Sequence, residues 1–350
     1  MIPIWPWRHG SRARLALALQ GGGAHGAFTW GVLDALLEHT ANPIVAISGA
    51  SAGAMNAVLL AHGLLEGGRD GARAALASYW QDLGRTIPWE ALGLLSGDGE
   101  RLSSGARWMM RWTQWLAPGQ ASPYRVDPLR ELLARCVDFE RLRSQTQITL
   151  HIAATQANTG RLRVFGNSEL SIDMVLASAC LPAIHPAVMI DGQPYWDGGF
   201  TANPPVWPLL HTRAIDDLMI VMLSPWRLGD TPRSADEIRE RSLEIAFNAG
   251  YLREMRLIAE AHELSRHGWW RAPIERRLRQ MHWHVIDGND HLARLHGDSK
   301  LIAHQPLLER LRDAGRQRTL DWLSQHGPSL GRRSSADLQR LFGGHEAPMS

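Results

Sequence analysis

Leu15-Ala16-Leu17-Ala18-Leu19-Gln20-Gly21-Gly22-Gly23-Ala24-His25-Gly26 joins a short apolar run to a cluster of glycines. A brief, continuously apolar run reads as a strand covered on both faces, because a parallel strand flanked by helices has no side turned to water. The glycines then open into Ala27–Glu38, where Phe28, Val32 and Leu36 recur at helical spacing. The pattern repeats at once. Ile44–Ile47 read as a second strand, Gly49-Ala50-Ser51-Ala52-Gly53 as a tight turn, and Ala52–Leu65 as the next helix. Strand, glycine turn and helix, twice over, predict a parallel α/β sheet.

Further along, Gln147–Gln156 and Leu162–Phe165 read as a hairpin across Asn158-Thr159-Gly160. Val188–Trp196 fold back at Asp191-Gly192, a strong type I′ hairpin signal. Leu218–Leu223 and Trp283–Ile286 add two more apolar runs of strand length, while Ile172–Cys180, Ala235–Leu264 and Leu307–Leu323 have helical periodicity. The expected organisation is a lead-in over 1–12 and an α/β body over 13–224, with a helix-rich insertion at about 68–145. A mainly helical C-terminal extension follows over 225–326. The tail, 327–350, is rich in Ser, Gly, Arg and Pro, and that composition predicts poor order.

Composition removes several function classes. Lys+Arg total 37 against 35 Asp+Glu, a net charge of +2 that is too balanced for nucleic-acid binding. Lys300 is the only lysine, and codon bias accounts for that more simply than an arginine-specific function. Two cysteines, Cys136 and Cys180, make no disulfide framework and read as free thiols of a reducing, cytoplasmic compartment. No stretch reaches the roughly 18 apolar residues of a membrane span. The run Leu15–Leu19 leads into glycines rather than a cleavage site, so no signal peptide is expected.

The glycine turns carry the chemistry. Gly49-Ala50-Ser51-Ala52-Gly53 has the Gly-x-Ser-x-Gly form of a nucleophile elbow, a turn so sharp that only small neighbours fit beside the serine. Gly21–Gly26 also fit G-x-G-x-x-G, but the dinucleotide reading needs an acid about 20 residues on, at the end of the second strand. Ile47-Ser48-Gly49 stand there instead. An anion cradle remains, since glycine amides at a helix start can hold a developing oxyanion. Asp197-Gly198-Gly199 follows the hairpin and places a carboxylate where Gly198 and Gly199 permit close backbone approach. A serine needs a proton acceptor, and a desolvated aspartate is basic enough to serve. The plainer readings are a small-residue turn at Ser51 and an ordinary Asp-Gly turn at Asp197.

These three motifs, in this order, resemble the patatin-like phospholipase family. The resemblance covers residues 14 to about 224 and includes Ala177-Ser178-Ala179-Cys180-Leu181-Pro182 followed by Pro186. It looks like a bacterial branch with its own C-terminal extension. It implies a three-layer α/β/α sandwich with a central, mostly parallel sheet. It also implies acyl-ester hydrolysis of lipids, commonly phospholipids, with no metal or nucleotide cofactor. On that likeness Ser51 is the nucleophile, Asp197 the base, and Gly21, Gly22, Gly23 and Gly26 shape the oxyanion hole, with Gly49, Gly53, Gly198 and Gly199 supporting the motifs. The family often has a basic residue where His25 stands, so a role for that charge is in doubt here.

Trp108, Trp112 and Trp115 recur at helical spacing beside Arg107 and Arg111, which suits peripheral contact with a membrane surface, although an ordinary core stripe has the same spacing. His282 and His284 share a strand face but lack the further ligands of a metal site. His151 or His185 would complete a conventional Ser-His-Asp triad, a competing enzymatic reading. Acyl transfer through the same Ser51–Asp197 pair would also fit these motifs, as would a catalytically silent lipid-binding or regulatory protein.

Overall fold

Leu15–Leu19 form β1 at the middle of a sheet, and the alternation of their side chains assigns the two faces. Leu15, Leu17 and Leu19 enter one hydrophobic core, and Ala16 and Ala18 enter the other. The computed structural model describes residues 13–97, 99–106, 128–182, 184–212, 215–225, 231–267 and 272–343. After β1 come α1 (Gly26–His39), β2 (Ile44–Gly49), α2 (Ala52–Thr86), α3 (Pro128–Cys136) and α4 (Phe139–Ser144). The middle of the chain supplies β3 (Thr149–Gln156), β4 (Arg161–Gly166), α5 (Ile172–Ser178), β5 (Val188–Ile190), β6 (Gln193–Asp197), α6 (Trp207–His211) and β7 (Asp217–Met222). The last third supplies α7 (Ala235–His267), α8 (Pro273–Gln280), β8 (His282–Asp287), α9 (Asn289–Leu292), α10 (Gln305–His326) and α11 (Leu338–Phe342).

Among the described residues the sheet has eight strands, in the order β5-β6-β3-β2-β1-β7-β8 with β4 added on β3. The five strands β3, β2, β1, β7 and β8 run parallel, and the antiparallel strands gather at the β3 end. Helices α1, α2 and α10 bury Phe28, Leu33, Leu59, Leu308 and Trp322 on one face. Helices α6, α7, α8 and α11 bury Leu210, Met255, Leu278 and Phe342 on the other. The result is a three-layer sandwich with a mixed, mostly parallel sheet.

The hairpin signal at Asp191-Gly192 corresponds to β5–β6, with φ of 50° and 74° at its two central residues, the backbone a type I′ turn requires. The mainly helical C-terminal region is joined to the body: within 225–326, β8 pairs in parallel along all six residues of β7, and α10 packs along α1. Every residue of β7 is buried, so without β8 its backbone edge would lie open to solvent. The tail is ordered as far as it is described, to Gly343. Its polar residues hydrogen-bond the sheet: the Gly331 amide donates to Asp217, and Ser334 Oγ accepts from the Trp283 amide at 3.0 Å. Leu338 and Phe342 then enter the second core. Within the expected insertion, the α2 helix continues past residue 68 and is broken at Gly67–Gly68, where Gly68 has φ +62°. Trp108, Trp112 and Trp115 lie outside the described residues.

Close crossing of α1 and α10 rests on two glycines. A Cβ on Gly31 would run into the Arg312 carbonyl oxygen, and one on Gly315 into that of Phe28. Because α1 begins where the glycine loop ends, this crossing also fixes the loop's far side. Gly315→Val should therefore cost about 1–3 kcal/mol by overpacking, read as a lower urea midpoint with unchanged slope. An unchanged midpoint would show that the helices are not in that close contact.

Candidate active site

Three strands pair with β3, and a strand has only two edges. β4 covers 151–156 on one edge, so β2 and β6 must share the other. β2 pairs with Thr149–Ile152 in parallel, and β6 with Ala154–Gln156 in the opposite direction. Their C-terminal ends therefore meet head to head. Gly49 lies opposite Ile152 and Asp197 opposite Ala154, two residues along β3, or ~7 Å. Ser51 leaves one end and Asp197 terminates the other.

Ser51 has φ +53° and ψ −126°, a backbone that a residue with a Cβ adopts only when its surroundings enforce it. The enforcement is visible. The Ser51 amide donates to the carbonyl and hydroxyl oxygens of Ser178, at 3.1 and 3.0 Å. The Gly53 amide closes the turn on the Ala50 carbonyl at 2.8 Å. A Cβ on Gly53 would collide with the Leu19 carbonyl, and one on Gly49 would lie 2.5 Å from the Gly53 carbonyl oxygen. The same segment that holds Ser51 also holds Asp197, whose amide donates to the Cys180 carbonyl at 2.8 Å.

Asp197 is completely buried. Its Oδ1 accepts from the Gly199 amide at 2.7 Å, while Oδ2 is buried without a hydrogen-bond partner. Gly198 lies against the Ala153 backbone, and Phe247 of α7 presses on Gly199, which keeps water from the carboxyl. That desolvation raises the pKa from 3.8 to about 7, opposed by the Gly199 amide and by the Ser51 side chain. The Ser51 hydroxyl is thus close enough to influence the carboxyl, yet no bond of normal geometry satisfies Oδ2.

The glycine loop lies against the elbow. A Cβ on Gly21 would sit 2.6 Å from the Cβ of Ser51. The loop's four singled-out glycines divide by what their amides do. The Gly21 amide is committed to Asn203 Oδ1 at 2.6 Å, and the Gly26 amide to the carbonyls of Gly23 and Ala24. Gly22, Gly23 and Ala24 stand at the start of the short 3₁₀ turn Gly23–His25, where amides lack an intrahelical acceptor. Gly23 has φ +58°, and a side chain there would strike the Lys300 carbonyl. Burial, reinforced by nearby Lys300, lowers His25 to a pKa of about 3, so the position where a cation was in doubt carries none.

Several positioning residues escaped the sequence reading. Gln20 is fully buried: its Oε1 accepts from the amides of Leu223 and Ser224, and its Nε2 donates to the Asn203 carbonyl and to Asn248 Oδ1. Single Gln, Asn and Ser residues show no period or spacing, so only their contacts identify them. His151 bonds Thr212 rather than Asp197, and His282 and His284 both turn to Asp217. Among the described residues no group of three His, Cys, Asp or Glu side chains could hold a metal ion.

A family model described as patatin-like phospholipase matches residues 17–210, more than half of the chain. The chain belongs to the patatin-like phospholipase family. That membership supports a lipid hydrolase. No curated protein matches it significantly. Among solved structures it is similar to VipD from Legionella pneumophila, at 14% identity and a TM-score of 0.39, covering 91% of this chain and 68% of that one. It is also similar to ExoU of Pseudomonas aeruginosa, solved in complex with SpcU, at 18% identity and a TM-score of 0.30. There the match covers 88% of this chain and 53% of ExoU, so this patatin-like chain spans about half of that relative.

The raised Asp197 pKa has a consequence for stability. Because the folded value of about 7 lies above the unfolded value of 3.8, the stabilising contribution is fully present below the unfolded pKa. It is lost as pH rises through the folded pKa. Asp197→Asn, which stays neutral, should gain on the parent by about 2–3 kcal/mol between pH 5 and pH 8, measured by denaturant unfolding. A difference independent of pH would mean the carboxyl titrates normally.

Proposed function

We propose that the chain is a serine-dependent lipid acyl hydrolase in which Ser51 attacks the acyl carbonyl and Asp197 accepts its proton. The observation that carries this reading is the Asp197 carboxyl: buried, with Oδ2 unpartnered, influenced by the Ser51 side chain, and raised to about 7. A base of that strength is matched to neutral pH, neither too weak to take a serine proton nor already protonated throughout. The strained elbow holds the hydroxyl at the start of α2, whose positive end favours negative charge there. The oxyanion that forms on attack is received by amides at the start of the Gly23–His25 turn, a donor being worth ~2.7–4 kcal/mol in the barrier. Proton transfer from Asp197 to the leaving alkoxide releases the lysolipid or alcohol. Water, deprotonated by Asp197, then hydrolyses the acyl-enzyme, and Ser51 is regenerated.

Family membership supports an ester of a lipid as the substrate, and the polar tethers around the loop support pre-organisation of the site rather than assembly on binding. Among the described residues no helix is long and apolar enough to cross a membrane. Ser51→Ala and Asp197→Asn should each lower kcat on a soluble acyl ester by at least about 1,000-fold, with cooperative unfolding retained, and a fluorophosphonate should label Ser51 in the parent alone. In the parent, kcat/KM should rise with pH about a midpoint near 7 as Asp197 loses its proton. Full activity in either variant, or a profile flat from pH 5 to 9, would reject the pair.

A further inference from the structure

We propose that Ser299 is a positioning residue for this site: through His25 it fixes the amides that receive the oxyanion, so the C-terminal segment completes the reaction centre. The inference rests on the Ser51–Asp197 reading and goes beyond it, since Ser299 lies outside every motif that carried that reading.

The loop cannot place itself. Gly21, Gly22 and Gly23 have no side chains with which to grip the fold, so its amides are located by backbone packing and by the polar bonds that hold the two ends. One end is held at Gly21, by Asn203 Oδ1. The other is His25, which ends the 3₁₀ turn and whose own amide closes on the Gly22 carbonyl at 3.2 Å. His25 Nε2 lies 2.7 Å from Ser299 Oγ, and both residues are buried. The direction of that bond follows from proton count. A serine hydroxyl has one proton, and Ser299 Oγ donates it to the His296 carbonyl at 2.6 Å. Ser299 therefore accepts, and His25 must carry its hydrogen on Nε2. Nδ1 is left as a bare, buried lone pair without a partner. Ser299 is thus the single polar tether of the imidazole among the described residues.

The two turns are also docked through their backbones. The segment Gly297–Leu301 forms a 3₁₀ turn that packs against Gly23–His25, with the Lys300 carbonyl occupying the space a side chain at Gly23 would need. Lys300 itself is held by Glu244 of α7 at 3.0 Å, one turn before Phe247 and Asn248, which contact Gly199 and Gln20. The amides of Gly22, Gly23 and Ala24 are therefore bracketed by Asn203 on one side and Ser299 on the other. Releasing one bracket leaves Ser51 and Asp197 untouched and moves only the receiver of the oxyanion. An interaction that strengthens as charge develops appears in kcat and leaves ground-state binding alone.

The test compares the full-length parent with Ser299→Ala and Ser299→Thr on a soluble acyl ester. Ser299→Ala should lower kcat by about 10- to 100-fold, with KM unchanged, an unchanged pH midpoint, and slower but continuing fluorophosphonate labelling of Ser51. Ser299→Thr keeps the acceptor and should restore most of kcat. If the alanine variant melts below the assay temperature, Ser299→Cys, close in volume and a far weaker acceptor, makes the same comparison. Unchanged kcat in a folded Ser299→Ala, a loss confined to KM, or equal loss in the threonine and alanine variants would each overturn the proposal. Absence of Ser51 labelling in the parent would instead reject the Ser51–Asp197 reading beneath it.

Discussion

One edge of β3 is shared end to end by two strands running in opposite directions, and the chemistry proposed for this protein depends on that sharing. β2 arrives from one side and must turn sharply at Ser51, while β6 arrives from the other and stops at Asp197. Neither strand can be lengthened without displacing the other. The same constraint explains the small residues at both ends, because Gly53 turns beneath the Leu19 carbonyl and Gly198 beneath that of Ala153. It also explains why Asp197 is dry. The carboxyl is fully buried, next to Gly199 against which Phe247 packs, and burial raises its pKa.

Such a site is costly to keep. Ser51 holds a backbone conformation that its surroundings must impose, and Asp197 leaves a buried oxygen unsatisfied. Both costs fall at the proposed reaction centre. The surrounding network offsets them: Ser178 and Cys180 tie the two motifs to the end of α5, and Gln20 ties the glycine loop to the end of β7. In each of these bonds a backbone amide donates, to a backbone carbonyl or to the side chain of Ser178 or Gln20, so the bonds hold the backbone of the two motifs and the loop in position.

The elements that could be read from the sequence were those with a period or a forced turn. β1, β2 and the helices after them follow from apolar spacing and glycine punctuation, and the β5–β6 hairpin follows from Asp191-Gly192 because few residues tolerate that backbone. The motifs of the site were legible for the same reason, since tight turns demand small residues. The convergence of Ser51 and Asp197 was not, because it is set by register on β3, which no local pattern encodes. The completing role of the last third was hidden too. β8 is a short run among helices, and residues 329–337 resemble disorder in composition while their hydroxyls and amides hydrogen-bond the sheet. Polar tethers such as Gln20, Asn203 and Ser299 have no periodic signature at all.

The central claim is that burial has made the carboxyl of Asp197 a base of neutral strength beside Ser51. Carbon-13 NMR of protein labelled at the aspartate carboxyl, with the Asp197 resonance assigned by its loss in Asp197→Asn, measures this directly. The account predicts a titration midpoint near 7, shifted when Ser51 is replaced by alanine. A midpoint near the ordinary aspartate value of about 4, unmoved by the change at Ser51, would contradict it.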